Sequence, residues 1–286
     1  MAKKLALIYD RVRWEEKALA EEAEARGLSV NRIDARTLLL DIFGDKVGES
    51  FGDIALQRCI SYYRGLHTTA YLETKGLKVI NSLHVSTVCG NKFLTSLALA
   101  RAGIATPKTL VAFTPEAAME ALGKLEYPAV LKPVTGSWGR FVAPIKDPDT
   151  ARALLEMREQ SPGALNQIYY IQEMVKRPPR DIRTIVVGDQ LIAAVYRHAP
   201  PDDWRTNVAL GGKTTPCPIT PELQELVLKA AKVVGGGVLG VDAMESPDGI
   251  QVHEVNNTVE FRGAASATDA NIPRAIVDYA RRLGRR

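Results

Sequence analysis

Near the end of the chain, Glu254, Asn256, Asn257 and Glu260 crowd into the stretch VHEVNNTVEFR, and Asp242 lies shortly before them. Carboxylate and amide oxygens at that density suit a hard divalent cation such as Mg²⁺, which takes one or two carboxylates and completes its shell with water and phosphate oxygens. The segment VLGVDAMESPDGIQVHEVN reads as two strands joined by Pro247-Asp248-Gly249, with glycine at the left-handed third position of a three-residue loop. If Ser246 and Ile250 close that loop, Asp242 falls opposite Glu254, and the period of two keeps Asn256 on the same face. Gly240, opposite Asn256, then leaves room for phosphate. Two carboxylates this close repel unless a cation compensates. A polar, solvent-facing side of a half-exposed strand accounts for the same residues.

Phosphate chemistry has candidates elsewhere. The loop TGSWGRF follows a strand ending in Lys132-Pro133; Gly136 and Gly139 let backbone amides approach an anion, and Lys132 with Arg140 can neutralise it. The loop matches neither GxxxxGK[ST] nor GxGxxG, and a tight surface turn also fits. Lys92 opens a helix behind Asn91, against the helix dipole, although a solvated lysine beside a capping residue is the commoner arrangement. Arg180, Arg183, Arg197 and Arg205 surround a hairpin whose two-residue turn is Gly188-Asp189. That turn pairs position 180 with 197 and 183 with 194, which sends Arg183 and Arg197 to opposite faces unless a bulge intervenes.

The elements that must position these groups alternate. KLALIYD reads as a strand, WEEKALAEEAEARG as an acidic helix closed by Gly27, LSVNRID as a strand, and DIALQRC to GLKVINS as a second such unit, which together imply a parallel α/β sheet. This first domain spans residues 1–88. Helix NKFLTSLALARAG, strand TPKTLVAF, a helix after Thr114-Pro115 and strand PAVLKPV belong to a central domain at 89–173. Paired strands from IYYIQEMV onward, helix PELQELVLKAAKVV with its Gly235-Gly236-Gly237 stop, and the oxygen-rich hairpin form a third at 174–286. The tail ARRLGRR reads as a frayed basic end.

Composition narrows the function class. At 286 residues, with 46% hydrophobic and 24% charged residues, the chain is ordinary for a soluble globular protein. No apolar run approaches the roughly 18–20 residues of a membrane span, and the N-terminus reads as a strand instead of a signal peptide. The expectation is a cytoplasmic protein with no membrane partner. Three cysteines without a CxxC pair argue for buried thiols over a disulfide framework or zinc site. A net charge of +4, with arginines lacking aromatic interleaving, gives no support for nucleic acid.

Taken in order, Lys132-Pro133, TGSWGR, Gln172-Glu-Met-Val, Arg180-Asp-Ile-Arg, WRTNVALGGK, Asp242 and Glu254-Val-Asn256 resemble the ATP-grasp carboxylate–amine ligases along the whole chain. Within these, the sequence resembles the ribosomal-protein-modifying glutamate ligases. It is most similar to the lysine and arginine biosynthesis ligases that attach an amino acid to an acidic amino-group carrier protein; YDRVRWEEK, RCISYYRGL, CGNK and GSWGR carry that closer likeness. The resemblance implies an ATP-grasp fold of three domains, a Rossmann-like pre-ATP-grasp domain and two ATP-binding subdomains. It implies ATP with Mg²⁺, two ions being expected, and a homo-oligomer, dimer or tetramer. Lys92 and Lys132 look like the two phosphate lysines, and Gly136, Ser137, Trp138, Gly139, Arg140, Phe141 and Val142 like the mobile flap over the triphosphate. Gln172, Glu173 and Val175 correspond to the adenine-cradling linker. Asp181 takes a nucleotide-contacting position, and Arg183 joins it. Arg197 and Asn207 match catalytic positions near the γ-phosphate, and Asp242, Glu254 and Asn256 match the magnesium ligands.

The implied reaction activates the side-chain carboxylate of the carrier's C-terminal glutamate as an acyl phosphate, which the amine of 2-aminoadipate or glutamate attacks. Arg58, Ser61 and Arg64 are candidates for gripping the amino acid's carboxylates, bidentate guanidinium being suited to that task; helix-capping or surface roles fit them too. Thr258, Glu260 and Phe261 lie in the segment where relatives discriminate chain length. Glutamate-preferring members carry Gly-Phe after the basic residue and aminoadipate-preferring ones Asn, and Arg262-Gly-Ala-Ala matches neither, which leaves dual use open. The competing readings are a glutamate ligase acting on a ribosomal protein tail or a coenzyme, and a non-catalytic nucleotide-binding regulator.

Overall fold

The computed structural model describes residues 3–44, 48–206 and 213–284. Three sheets account for its strands. In the first, β1 (Lys4–Tyr9), β2 (Ser29–Asp34), β3 (Ile54–Gln57) and β4 (Val79–Ile80) lie parallel in the order β2-β1-β3-β4. A parallel sheet needs cover on both faces, so its central strands are continuously apolar: Leu5 to Ile8 and Ile54 to Leu56 are all buried. Helices α1 (Trp14–Ala25) and α2 (Tyr62–Thr74) supply its crossovers. Two helices follow, α3 (Leu83–Cys89), capped by the Ser82 hydroxyl, and α4 (Lys92–Arg101), whose first N–H groups are taken by the Asn91 side chain.

The second sheet is antiparallel in the order β5-β8-β6-β7, from β5 (Thr109–Ala112), β6 (Ala129–Lys132), β7 (Ala143–Ile145) and β8 (Tyr169–Glu173). Both helices that cover it, α5 (Pro115–Leu125) and α6 (Pro148–Glu159), begin with a capping Thr or Asp followed by Pro at the first turn. They bury Ala118, Leu122, Ala151 and Leu155 against Leu131 and Ile171. The loop at 133–142 joins β6 to β7.

The third sheet runs β11-β10-β9-β12-β13, antiparallel throughout, from β9 (Arg180–Val187), β10 (Gln190–His198), β11 (Lys213–Pro216), β12 (Val238–Ser246) and β13 (Gly249–Asn256). Helix α7 (Pro221–Val233) covers one face, over Val186, Leu239 and Val241. The opposite face is divided. One end, with Ile185, Val187, Val195 and Val238, packs under α9 (Ile272–Leu283) in a core shared with α1. The other end carries charged residues. A short helix, α8 (Arg262–Ala267), leads into α9, which runs through Ala280–Leu283, so most of the basic tail expected to fray is helical because Ile272, Ile276, Val277 and Ala280 form its buried stripe.

Both hairpins depart from the expected register by one residue. Val187 faces Gln190 across the Gly188-Asp189 turn, but a bulge at Ile192 shifts the ladder, so Arg183 faces Val195 and Asp181 faces Arg197. Arg183 and Arg197 therefore share a face, contrary to the expectation from an unbroken ladder. In the second hairpin Ser246 pairs with Gly249, which leaves a two-residue turn in place of the three-residue loop, and a bulge at His253 makes up the difference. Asp242 still faces Glu254.

Asn81 fastens the first sheet to the third. Its amide donates to the carbonyls of Val238 (2.7 Å) and Asn257 (2.6 Å) while its oxygen accepts the Val238 N–H at 2.7 Å. Gly237, at φ +111°, makes room for this: a Cβ there would lie 2.1 Å from the Asn81 oxygen, whereas one on Gly236 meets nothing within 4 Å. Gly237→Ala is therefore expected to cost about 2–4 kcal/mol in urea denaturation, combining backbone strain with overpacking, and Gly236→Ala about 1–2 kcal/mol from its left-handed backbone alone. Equal losses would contradict this account of the junction.

Candidate active site

The three sheets enclose a cleft of about 1490 Å³. Its charged wall is the polar end of the third sheet, which the two bulges assemble. Asp242, 3% exposed, receives Nε and a terminal nitrogen of Arg183, the latter at 2.9 Å, and lies 3.1 Å from Arg197. Arg197 also grips both oxygens of Asp181, at 2.8 and 2.7 Å, and the Thr206 hydroxyl donates to Asp181. Glu254 pairs with Lys92 at 2.8 Å, and Asn256 donates to Asp242 at 3.3 Å. Opposite stands Lys132, whose ammonium donates to the Gln172 amide oxygen at 2.6 Å.

The electrostatics follow from burial and compensation. Burial alone would raise Asp242, but the charges of Arg183 and Arg197 outweigh it and hold its carboxyl well below the usual range. Glu254 is likewise lowered: burial and the Asp242 charge oppose ionisation, and Lys92 prevails. Arg197 is pushed the other way, since Asp242 and Asp181 more than offset its burial. Burial brings Lys132 down to about 8, because the opposing pull of Glu254 is offset by the nearby Lys92 and Arg177 charges. His253, the bulge residue, is pushed to about 4 by burial and by Lys132. Among the described residues that line the cleft, ten lysines and arginines stand against six aspartates and glutamates, an excess of cations that equips it to receive a polyanion.

The loop at 133–142 closes another side. Its Gly136 carbonyl accepts from Lys92 at 3.0 Å and its Gly139 carbonyl from Arg205 at 3.1 Å. Gly136 and Gly139 adopt positive φ, as do Trp138 and Phe141. Ser137, Trp138, Arg140 and Val142 line the cleft, while Phe141 points away with 86% of its surface exposed.

Several expected site residues are placed differently. Arg58 is 2% exposed and bound to Glu16 at 3.1 Å, Ser61 precedes α2 with its N–H on Asp10, and Arg64 pairs with Asp10 at 2.7 Å. None of the three lines the cleft; each is committed to an acidic neighbour within the first sheet unit. Phe261 is fully buried against Trp14 and serves packing, whereas its neighbours Thr258 and Glu260 face the cleft. Gln172 is buried, spending its amide on Lys132, Thr109 and Tyr170; Glu173 accepts the Lys108 N–H; Val175 lines the wall. Asp181 lines it too, with its oxygens engaged by Arg197 and Thr206. Asn207 lies outside the described residues. The sequence reading missed Arg11, Arg13, Arg177 and His253 on the wall. Arg13 had a signal, the RWEE run in which Glu16 follows at capping-box spacing; His253 had none.

The donors suit a hard divalent ion. Asp242, Glu254 and Asn256 present two carboxylates and an amide from adjacent strand positions, and each carboxylate is paired with a cationic side chain, Asp242 with Arg183 and Glu254 with Lys92. Among the described residues no three His, Cys, Asp or Glu side chains converge as a self-sufficient metal cage. Such a donor set leaves coordination positions for phosphate oxygens.

Comparison with known proteins agrees with this geometry. Residues 89–280 match the model of the RimK-like ATP-grasp domain and residues 5–88 that of the LysX preATP-grasp domain. The chain is 40% identical over 276 residues to the alpha-aminoadipate–LysW ligase LysX of Sulfurisphaera tokodaii, covering 96% of each. It is 36% identical over 277 residues to the glutamate–LysW ligase ArgX of the same organism, covering 96% of this chain and 97% of that one. The crystal structure of a RimK domain ATP-grasp protein from Sphaerobacter thermophilus superposes with a TM-score of 0.80 at 26% identity, over 97% and 99% of the two chains.

Lys132 gives the site a pH signature. With its ammonium held down to about 8, the unliganded site loses that proton as pH rises through 8, whereas a bound polyphosphate favours the charged form. ATP affinity measured without metal is expected to fall between pH 7.5 and 9.5, by up to about tenfold per pH unit, the limit for uptake of one proton. Lys132→Arg should flatten the profile; a flat wild-type profile would contradict the assignment.

Proposed function

Because the chain belongs to the RimK-like ATP-grasp family, we propose that it is an ATP-dependent ligase joining the α-amino group of 2-aminoadipate or glutamate to the C-terminal glutamate side chain of a small acidic carrier protein. The observation that carries the chemistry is the single charged face on which Arg183, Arg197, Asp242 and Glu254 meet, across the cleft from Lys132. The likeness, over 96% of this chain, to an alpha-aminoadipate–LysW ligase and to a glutamate–LysW ligase supports the substrates.

Transfer of the γ-phosphoryl group of ATP to a carboxylate needs positioning and charge neutralisation more than covalent help. In this reading Lys92, Lys132, Arg183 and Arg197 face the spreading negative charge of the triphosphate. Asp242, Glu254 and Asn256 would hold Mg²⁺, two ions being expected, which would supply positive charge to neutralise the phosphates. Lys92 then has two partners to choose between: it neutralises Glu254 in the free protein and is released toward phosphate when that carboxylate is otherwise compensated. Arg183 and Arg197 remain anchored by Asp242 and Asp181, which fixes their direction at little further entropic cost. The acyl phosphate so formed is attacked by the amine, phosphate leaves, and an amide results. Water must be kept out between those steps, which gives the loop at 133–142 its purpose.

Incubating the protein with ATP, Mg²⁺, 2-aminoadipate or glutamate and a small acidic carrier ending in glutamate is expected to raise the carrier's mass by one amino acid less one water. Mass gain only on a ribosomal protein tail or a coenzyme would move the substrate assignment to the neighbouring ligase class. Nucleotide binding without ADP release, whatever the acceptor, would favour a binding regulator.

A further inference from the structure

Resting on that reading, we propose that Glu260 is a positioning residue that latches the loop at 133–142 across the cleft, through Trp138 on one side and Arg13 on the other. The Trp138 indole N–H points at both oxygens of Glu260, at 3.2 and 3.3 Å, and Arg13 donates to the same carboxylate at 3.0 Å. These three side chains come from the three parts of the molecule: the loop between β6 and β7, the segment leading into α8, and the start of α1.

Each partner is built for the contact. Trp138 sits at φ +61°, a backbone conformation that glycine adopts freely and a bulky residue does not, with Gly136 and Gly139 on either side. That conformation carries a cost, and at Trp138 it accompanies an indole N–H directed at Glu260. Arg13 is aimed by a bidentate bond to Glu16, and Glu16 is aimed in turn by Arg58, whose burial gave it no place in the cleft. Glu260 is oriented from behind by Glu15, whose carboxylate accepts the backbone N–H groups of Phe261 and Arg262. The chain from Arg58 to Trp138 thus runs from a buried anchor to a half-buried tip. The last link is the weak one: Glu260 is 40% exposed, so its hydrogen bond to the indole competes with water and can open and reform.

The consequence is a link between closure and coupling. An acyl phosphate reached by water returns the carboxylate and releases phosphate, so ATP is spent and no amide forms. A loop latched to both the first unit and the α8 segment closes the chamber only while all three parts are engaged. Loss of the latch opens it to water.

The test compares ADP released with amide formed, using the full chain with ATP, Mg²⁺, amino acid and carrier, for wild type, Trp138→Phe, Glu260→Ala and the double variant. Wild type is expected near one ADP per amide and each single variant at several-fold more, with the double variant no worse than either single one because both remove the same bond. A second readout is independent of ligation: in a Trp14→Phe/Trp204→Phe background, acrylamide quenching of Trp138 should rise several-fold on Glu260→Ala. A ratio that stays near one in every variant overturns the latch and leaves the ligase reading intact. If wild type makes no amide with any acceptor, the ligase reading fails and quenching decides the latch: a rise supports it, and unchanged quenching overturns it.

Discussion

Burying carboxylates side by side is costly, and the site exists because that cost is offset within the sheet. Asp181, Asp242 and Glu254 lie on one face of the third sheet, and Arg183, Arg197 and Lys92 reach them from strands and a helix that the fold brings alongside. Removing one member of a buried, hydrogen-bonded pair of this kind typically costs about 3–5 kcal/mol, against about 1 kcal/mol or less for exposed pairs such as Arg152–Asp149. The charged face is therefore a structural requirement of the protein before it is a reaction site. Ligand binding can proceed by exchange of partners, a less demanding process than creating charge in a dry cavity.

That constraint explains the bulges. Strict alternation would set Arg183 and Arg197 on opposite faces and leave one of them against α7, unpaired among Val186, Leu239 and Val241. The extra residue at Ile192 moves Arg197 onto the Asp242 side, and the one at His253 restores Asp242 to Glu254 after a turn one residue shorter than the sequence suggests. Bulges of this kind re-aim side chains near functional sites in many sheets.

Much of this was legible in the sequence, and the failures have a common cause. The alternating first unit, the hairpin at Gly188-Asp189, the cap at Asn91 and the oxygen-rich final strand all follow from local rules of turn chemistry, capping and periodicity. Bulges do not, because Ile192 and His253 are unremarkable strand residues and the extra position is decided by what the rest of the sheet must satisfy. The Asp242–Glu254 pairing was anticipated through a loop one residue too long, and the bulge cancelled the error. Arg58 and Arg64 looked like carboxylate grips because guanidinium chemistry is local, but their partners Glu16 and Asp10 are distant in sequence. Phe261 was read with its polar neighbours and turns out to pack. The likeness to ATP-grasp ligases pointed to residues that the fold gathers on one face of the third sheet; compensation within that face needed coordinates.

The central claim is that cationic side chains already occupy the carboxylates a divalent ion would use. Binding of Mn²⁺ in the absence of nucleotide, followed by the electron paramagnetic resonance signal of the free ion, tests it directly. Removing the competing ammonium with Lys92→Met should strengthen Mn²⁺ binding, by about tenfold if the competition amounts to about 1.4 kcal/mol, and adding Glu254→Gln should abolish the gain. Unchanged or weaker Mn²⁺ binding in Lys92→Met would show that Lys92 and the ion do not share Glu254, and the account would fail.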